Sequence, residues 1–117
     1  MKVYFIGAGP GDPELITIKG LKVIQRAGYC IYAGSLVNPE LLNFLPVHAK
    51  AYDSSNMSLE EMVVVFKEAM KKNEDVARIH SGDPSIYGAM QEQMYALDAL
   101  GIPYEVIPGV SSFVAAA

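Results

Sequence analysis

Three short glycine-bearing segments, each placed directly after an apolar run, constrain the fold of this chain more than any other feature. The segments are residues 7–13 (GAGPGDP), residues 81–88 (SGDPSIYG) and residues 108–112 (PGVSS). The runs before them are short and contain β-branched or aromatic residues, as β-strands do. In an open parallel sheet, the loops that follow the strands emerge at one edge, and ligands bind there. The three segments therefore predict one shared ligand site.

Predicted strands alternate with predicted helices along the chain. Thr17 is expected to cap the first helix, and Asn38 with Pro39 to open a short second one. Ser58 and Glu61 have the spacing of a capping box ahead of a third helix. The strands are expected at residues 2–6, 29–32, 50–52, 75–80 and 104–107. This alternation predicts an α/β fold with an open, parallel, five-stranded sheet and helices on both faces.

The amino-acid composition limits which partners the protein can bind and where in the cell it is expected. The 117 residues are 51% hydrophobic, which is enough for one domain whose core needs no disulfide or metal. Nine basic and 13 acidic residues give a net charge of −4, which argues against nucleic acid or an anionic membrane as a partner. No apolar run approaches the roughly 18 residues of a membrane span. The single cysteine, Cys30, favours the cytoplasm and is expected to pack in the core rather than act as a nucleophile.

The sequence after the third glycine segment has the start of a helix without its usual end. Ser112 is a good helix cap, and residues 113–117 have helix-forming side chains, but neither a charged last turn nor a glycine follows. We therefore expect this chain to be a fragment that ends within or just after an element. A short terminal helix is the alternative.

The first glycine segment suits a dinucleotide poorly. Gly7 and Gly9 follow a strand, but Asp12 stands where the dinucleotide motif has its third glycine. Asp12 and Glu14 would repel a pyrophosphate, and no acid follows the second strand at residues 33–34, where a ribose contact is expected. A nicotinamide-dependent oxidoreductase domain is thus the alternative rather than the leading hypothesis.

S-adenosylmethionine suits the segments better, because it carries no phosphate. Its carboxylate can accept hydrogen bonds from backbone N–H groups of the glycine turns. Its sulfonium and ammonium are cationic, and Asp83 could face such a cation or a hydroxyl. The alternative for Asp12 and Asp83 is a purely structural role as helix caps.

The three segments, in this order and spacing, resemble the signatures of the tetrapyrrole (corrin and porphyrin) methylase family. Residues 32–42 (YAGSLVNPELL) and 53–61 resemble the branch of that family that methylates C-11 of precorrin-4 or cobalt-precorrin-4. The resemblance covers the whole chain but only half of a two-domain family member. It implies that residues 1–117 are a single N-terminal α/β domain, that the C-terminal domain is absent, and that the isolated chain is inactive.

The resemblance also implies a function and a set of contacts. The function is methyl transfer from S-adenosylmethionine to a tetrapyrrole in cobalamin biosynthesis, by an enzyme expected to be a homodimer. Cationic groups are expected around the cleft, because the substrate bears many carboxylates. No general base can be named from the sequence, and no metal is expected. The cofactor contacts carried over by position are Pro10, Ser81, Gly82, Asp83, Ile86, Tyr87, Ser111 and Ser112.

Two polar residues of the fourth predicted strand need a separate explanation. Arg78 and His80 alternate and therefore face the same side of the sheet. Arg78 on a covered strand is expected to be paired, with an acid or with a bound carboxylate. For His80 we favour a hydrogen-bonded histidine at a strand end over a contact with substrate.

The first helix is expected to bury one apolar stripe. Its residues Ile18, Leu21 and Ile24 recur at helical spacing and predict the buried face. Gly20 lies in the same helix, where glycine costs about 1 kcal/mol relative to alanine. We expect Gly20 to permit close packing of the helix against a neighbouring loop.

Overall fold

The carboxyl ends of five parallel strands form one edge of the molecule, and the rest of the fold positions that edge. The structure is a computed structural model that describes residues 1–8, 16–34, 39–81 and 87–108. The strands are β1 (Val3–Ala8), β2 (Tyr29–Tyr32), β3 (Lys50–Asp53), β4 (Val76–Ser81) and β5 (Tyr104–Ile107). The helices are α1 (Ile18–Arg26), α2 (Leu59–Lys72), α3 (Tyr87–Leu100) and the short 3-10 helices Pro39–Phe44 and Ser54–Asn56.

All strand pairs are parallel, and the sheet order is β3-β2-β4-β1-β5. The predicted α/β fold with a five-stranded parallel sheet is therefore confirmed. Both β1 and β4 end later than predicted, at Ala8 and Ser81, because their pairing continues to these two residues. The order itself places β1 between β4 and β5, so the three strands that precede the glycine segments are neighbours.

Helices cover both faces of the sheet, as predicted, and each face has its own apolar core. On one face, α2 and α3 contribute Phe66, Ala69 and Leu97 to a cluster with Phe5 and Ile31 of the strands. The opposite face is covered by α1 and the 3-10 helix Pro39–Phe44. Its buried residues are Ile6, Val23, Ile24, Ala27, Cys30, Leu41, Ala77, Ile79 and Ile107.

Local capping signals in the sequence set the helix boundaries. The Thr17 hydroxyl accepts a hydrogen bond from the Gly20 N–H at 3.1 Å and begins α1. In the capping box of α2, the Glu61 N–H donates to Ser58 Oγ at 3.2 Å, and the Ser58 N–H donates to Glu61 Oε1 at 3.4 Å. Asn73 ends α2 in the left-handed conformation with φ of 55°. The predicted caps Thr17 and Ser58 are therefore confirmed. The short helix begins at Pro39 as expected, but its predicted cap, Asn38, lies outside the described residues.

The stripe predicted for α1 is partly wrong. The helix buries Gly20, Val23 and Ile24, whereas Ile18 is 75% exposed. The reason is the close approach of the helix to β1: a Cβ atom at residue 20 would lie only 2.9 Å from Ile6 Cγ2. Close packing at Gly20 is thus present, but its nearest partner is Ile6 of strand β1 rather than the loop that we expected. This approach turns Ile18 outward.

Hydrogen bonds of Asp75 connect β1, α1, β2 and β4 at the amino edge of the sheet. Its carboxylate accepts hydrogen bonds from the Lys2 N–H at 3.0 Å and from Arg26 Nε at 3.4 Å. Its carbonyl oxygen accepts from the N–H groups of Gly28 and Tyr29. These bonds fix the starts of β1, β2 and β4 at the edge opposite the glycine segments.

Candidate cofactor site

The candidate site is the carboxyl edge of β4, β1 and β5. Gly7 pairs with His80 and Ala8 with Ser81, so β1 and β4 end level with each other. On the other side of β1, Ile107 of β5 pairs with Ile6. Since neighbouring strands lie about 4.8 Å apart, the three glycine segments leave the sheet within roughly 10 Å of one another. This adjacency is the condition that a single shared site requires.

Two of the eight residues predicted to contact the cofactor have a described backbone position. Ser81 is the last residue of β4, next to Ala8, and Tyr87 is the first residue of α3. Because α3 follows β4, its N-terminal end lies at the carboxyl edge, where the helix carries a partial positive charge that favours an anionic group. The other six predicted contacts lie outside the described residues and stay predictions: Pro10, Gly82, Asp83, Ile86, Ser111 and Ser112.

Arg78 lies under this edge, on the face covered by α2 and α3. Its side chain is 7% exposed, Nε donates to Gln93 Oε1 at 3.1 Å, and Nη1 donates to the Ile79 carbonyl at 3.1 Å. The expectation that Arg78 is paired is confirmed, although these two partners are neutral oxygens rather than a carboxylate. Burial lowers the pKa of Arg78 to about 10, so the guanidinium stays cationic at neutral pH.

His80 lies on the same side of β4, two residues closer to the edge. It is 6% exposed, and its neighbour across the sheet is Gly7, which has no side chain to fill the space beside the imidazole. Sequence reasoning placed His80 correctly at the end of a covered strand. Burial alone does not show the hydrogen bond that the structural interpretation expects, so this interpretation of His80 stays a prediction.

An open cavity of about 570 Å³ lies on the other face, between the start of α1 and the 3-10 helix Pro39–Phe44. The pattern of the sequence did not predict it, because Ile18 was assigned to the core. Ile18 and Phe44 are 75% and 42% exposed, respectively, and Glu40 contributes the one charged side chain among the described lining residues. The lining residues are Ile16, Thr17, Ile18, Leu21, Glu40, Asn43 and Phe44.

The cationic groups that we expect around the cleft stay a prediction. Lys2 and Lys19 pair with Glu105 at 3.5 Å and 2.5 Å, and Arg26 pairs with Asp75. Lys50 begins β3 and is at the amino edge. The guanidinium of Arg78 is bonded to the Ile79 carbonyl, and Arg78 lies three residues before the carboxyl end of β4.

Two features are absent from the described residues. No group of three or more His, Cys, Asp and Glu residues among them could hold a metal ion. Within the same ranges, no helix is both long enough and apolar enough to span a membrane.

The protein has an α/β fold, and the carboxyl ends of its parallel strands form the candidate ligand site. The family model described as Tetrapyrrole (Corrin/Porphyrin) Methylases matches residues 2–117. The chain belongs to this family, and the resemblance seen in the sequence is confirmed.

Individual relatives agree with this assignment. A cobalt-precorrin-4 C(11)-methyltransferase of Methanocaldococcus jannaschii is 56% identical over 115 residues, which cover 98% of this chain and 44% of the relative. An X-ray structure of a cobalt precorrin-4 methyltransferase superposes with a TM-score of 0.88 at 47% identity, covering 99% of this chain and 48% of the other. Another similar structure is a uroporphyrin-III C-methyltransferase of Thermus thermophilus in complex with S-adenosylhomocysteine. It has a TM-score of 0.76 at 33% identity, and the match covers 99% of this chain and 48% of the other.

The chain spans about half the length of these relatives. Neither the family match nor the relatives support the nicotinamide-dependent alternative. What the relatives do as whole proteins bears on this chain only as a proposal.

Proposed function

We propose that this chain is the cofactor-binding half of an S-adenosylmethionine-dependent methyltransferase that methylates C-11 of precorrin-4 or cobalt-precorrin-4 in cobalamin biosynthesis. The observation that carries the proposal is the adjacency of β4, β1 and β5, which directs all three family segments to one edge. The 56% identity to a relative of that name supports the choice of substrate.

The residues at the edge fit a ligand that has a carboxylate and no phosphate. The N-terminal end of α3 and the backbone N–H groups of the glycine segments favour the carboxylate. Asp83, one residue beyond Gly82, is proposed to face the ammonium or a hydroxyl. When bound, S-adenosylmethionine supplies a methyl group on a sulfonium, which is a good leaving group.

In this proposal, the chain contributes binding and orientation. An electron-rich ring carbon held in line with the donor, at about 3–3.5 Å, needs little further help from the protein. The proposed contacts are those of the family: Pro10 near the tetrapyrrole, residues 81–83 with Ile86 and Tyr87 along the methionine part, and Ser111 with Ser112 beside it. A general base is needed only to remove a proton from the ring. We assign no residue to that role.

The second half of the enzyme is proposed to complete the site. A cleft for a polycarboxylate needs several cations, whereas Lys2, Lys19 and Arg26 are in ion pairs and Lys50 lies at the amino edge. We therefore propose that residues 1–117 form an N-terminal domain and that a C-terminal domain provides the adenine contacts and further cations. A homodimer and a cytoplasmic location complete the proposal, and sedimentation velocity tests the dimer.

The test compares two proteins. One is this 117-residue chain, and the other is a fusion of it to the part of the M. jannaschii relative that its match leaves uncovered. We expect calorimetry of the fusion protein to show binding of S-adenosylhomocysteine but not of NAD. We also expect the fusion protein to methylate precorrin-4 or its cobalt form, and the chain alone to be inactive. Binding of NAD alone would support the oxidoreductase alternative, and turnover by the chain alone would disprove the two-half arrangement.

A further inference from the structure

A buried hydrogen bond links β4 to α3 within a largely apolar layer that also contains His80. Arg78 Nε donates to Gln93 Oε1 at 3.1 Å, and the two side chains are 7% and 1% exposed. In register with Arg78 across the sheet are Phe5 and Ile31, both fully buried. Gln93 is flanked on α3 by the buried Met90 and Leu97. Apolar side chains of similar volume would fill this space without the cost of burying a guanidinium, so a role beyond packing has to be considered.

The placement of this bond relative to the second glycine segment indicates such a role. Arg78 lies three residues before Ser81, which ends β4, and Gln93 lies six residues after Tyr87, which begins α3. Residues 82–86 connect these two ends and contain three of the predicted cofactor contacts. Whatever sets the position of α3 relative to β4 also sets the distance and direction that these five residues must span.

A second bond makes the link stiff. Arg78 Nη1 donates to the carbonyl of Ile79 at 3.1 Å, so the guanidinium is held against the backbone of its own strand. With Nε committed to Gln93, the planar guanidinium relates β4 and α3 in both distance and orientation. Apolar contacts between the same elements constrain the distance but not the rotation of the helix to the same degree.

We propose that Arg78 and Gln93 are positioning residues that hold the ends of the 82–86 segment in the geometry that binds the methyl donor. This inference rests on the proposed function and adds the residues that act through the segment without touching the ligand. The geometry, rather than the charge of Arg78, is the essential feature. An acceptor of the same shape at residue 93 is therefore sufficient.

The test uses four variants of the fusion protein, with S-adenosylhomocysteine affinity measured by calorimetry and stability by thermal unfolding. Gln93→Leu and Arg78→Met remove the bond, and each is expected to weaken binding roughly tenfold. The double variant should bind no more weakly than either single variant, because both changes break one interaction. Gln93→Glu keeps an acceptor for Arg78 and should bind within about twofold of the wild type. Leu97→Val is the matched control, because it lowers stability in the same layer and keeps the bond.

Three results would overturn the proposal. If Gln93→Leu lowers the unfolding temperature but leaves the affinity unchanged, as Leu97→Val should, the bond is only structural. If Gln93→Glu binds as weakly as Gln93→Leu, the charge balance matters rather than the geometry. If the losses of Gln93→Leu and Arg78→Met add in the double variant, the residues do not act as a pair.

A ligand-free measurement separates this proposal from the proposed function. In the 117-residue chain, backbone amide resonances of residues 82–86 should shift in Gln93→Leu and stay near their wild-type positions in Gln93→Glu. If the wild-type fusion protein fails to bind S-adenosylhomocysteine, the proposed function is wrong, and these resonances still decide whether Arg78 and Gln93 position the segment. Unchanged resonances in Gln93→Leu would contradict the positioning role.

Discussion

Cys30 shows how burial decides the chemistry of a single side chain. It is fully buried between α1 and the sheet, and desolvation raises the pKa of its thiol to about 12. The thiolate is the reactive form, so we expect almost no reaction with a thiol reagent at about pH 8 while the chain is folded. Labelling should become complete in denaturant. Rapid labelling of the native chain would contradict the described burial of Cys30.

The same thiol gives folding a pH dependence whose sign is fixed. Because the folded pKa is raised from 9.0 to about 12, the folded state holds this proton longer than the unfolded state. Its contribution to stability is fully present below pH 9 and is lost as pH rises towards 12. Denaturant titrations should therefore show a smaller alkaline loss in Cys30→Ala than in the wild type. Equal losses in the two proteins would exclude the thiol as the cause.

Gly20 tests the close approach of α1 to β1. Alanine favours a helix by about 1 kcal/mol over glycine, but its Cβ would lie 2.9 Å from Ile6 Cγ2, which is fully buried and cannot move away freely. Overpacking of this kind costs about 1–3 kcal/mol. We expect Gly20→Ala to be destabilised by up to about 2 kcal/mol in denaturant unfolding. The control is Gln25→Ala, because Gln25 is exposed on the same helix. If Gly20→Ala is more stable than the wild type, the side chain of Ile6 moves to accommodate the added methyl group.

The capping box of α2 is the clearest case of an element whose start is encoded locally. Ser58→Ala removes the acceptor for the Glu61 N–H and should lower the free energy of unfolding by about 1 kcal/mol. Ser58→Asp keeps an acceptor at the N-cap and adds a favourable charge, so it should restore the stability. Chemical denaturation measures both. If Ser58→Ala is as stable as the wild type, the cap does not contribute to the stability of α2.

Elements with local signals could be predicted from the sequence, and long-range relations could not. Helix starts are marked by the capping hydrogen bonds of Thr17, Ser58 and Glu61. The predicted bounds of β2 and β5 agree with the observed ones. The sheet order depends on contacts between distant strands, which no local pattern reports. The partner of Arg78 is 15 residues away on α3, so the sequence predicted a pairing but not that Gln93 provides it.

The candidate site, too, combines local signals that the sequence contains with long-range contacts that it does not reveal. Its segments were recognisable because each contains glycine and proline directly after a predicted strand. The strands before these segments are neighbours because β1 lies between β4 and β5, which only the folded chain shows. The outward turn of Ile18, and with it the cavity beside α1, arises from the contact between Gly20 and Ile6, which the periodicity of α1 does not contain.

For the chain taken as a unit, the central claim is that one edge of the sheet gathers all three segments around the methyl donor. A crystal structure of the fusion protein with S-adenosylhomocysteine tests this most directly. We predict that the ligand lies at the carboxyl ends of β4, β1 and β5, with Pro10, Asp83 and Ser111 all around it. A ligand bound elsewhere, or Pro10, Asp83 and Ser111 directed to different sides of the molecule, would contradict the claim.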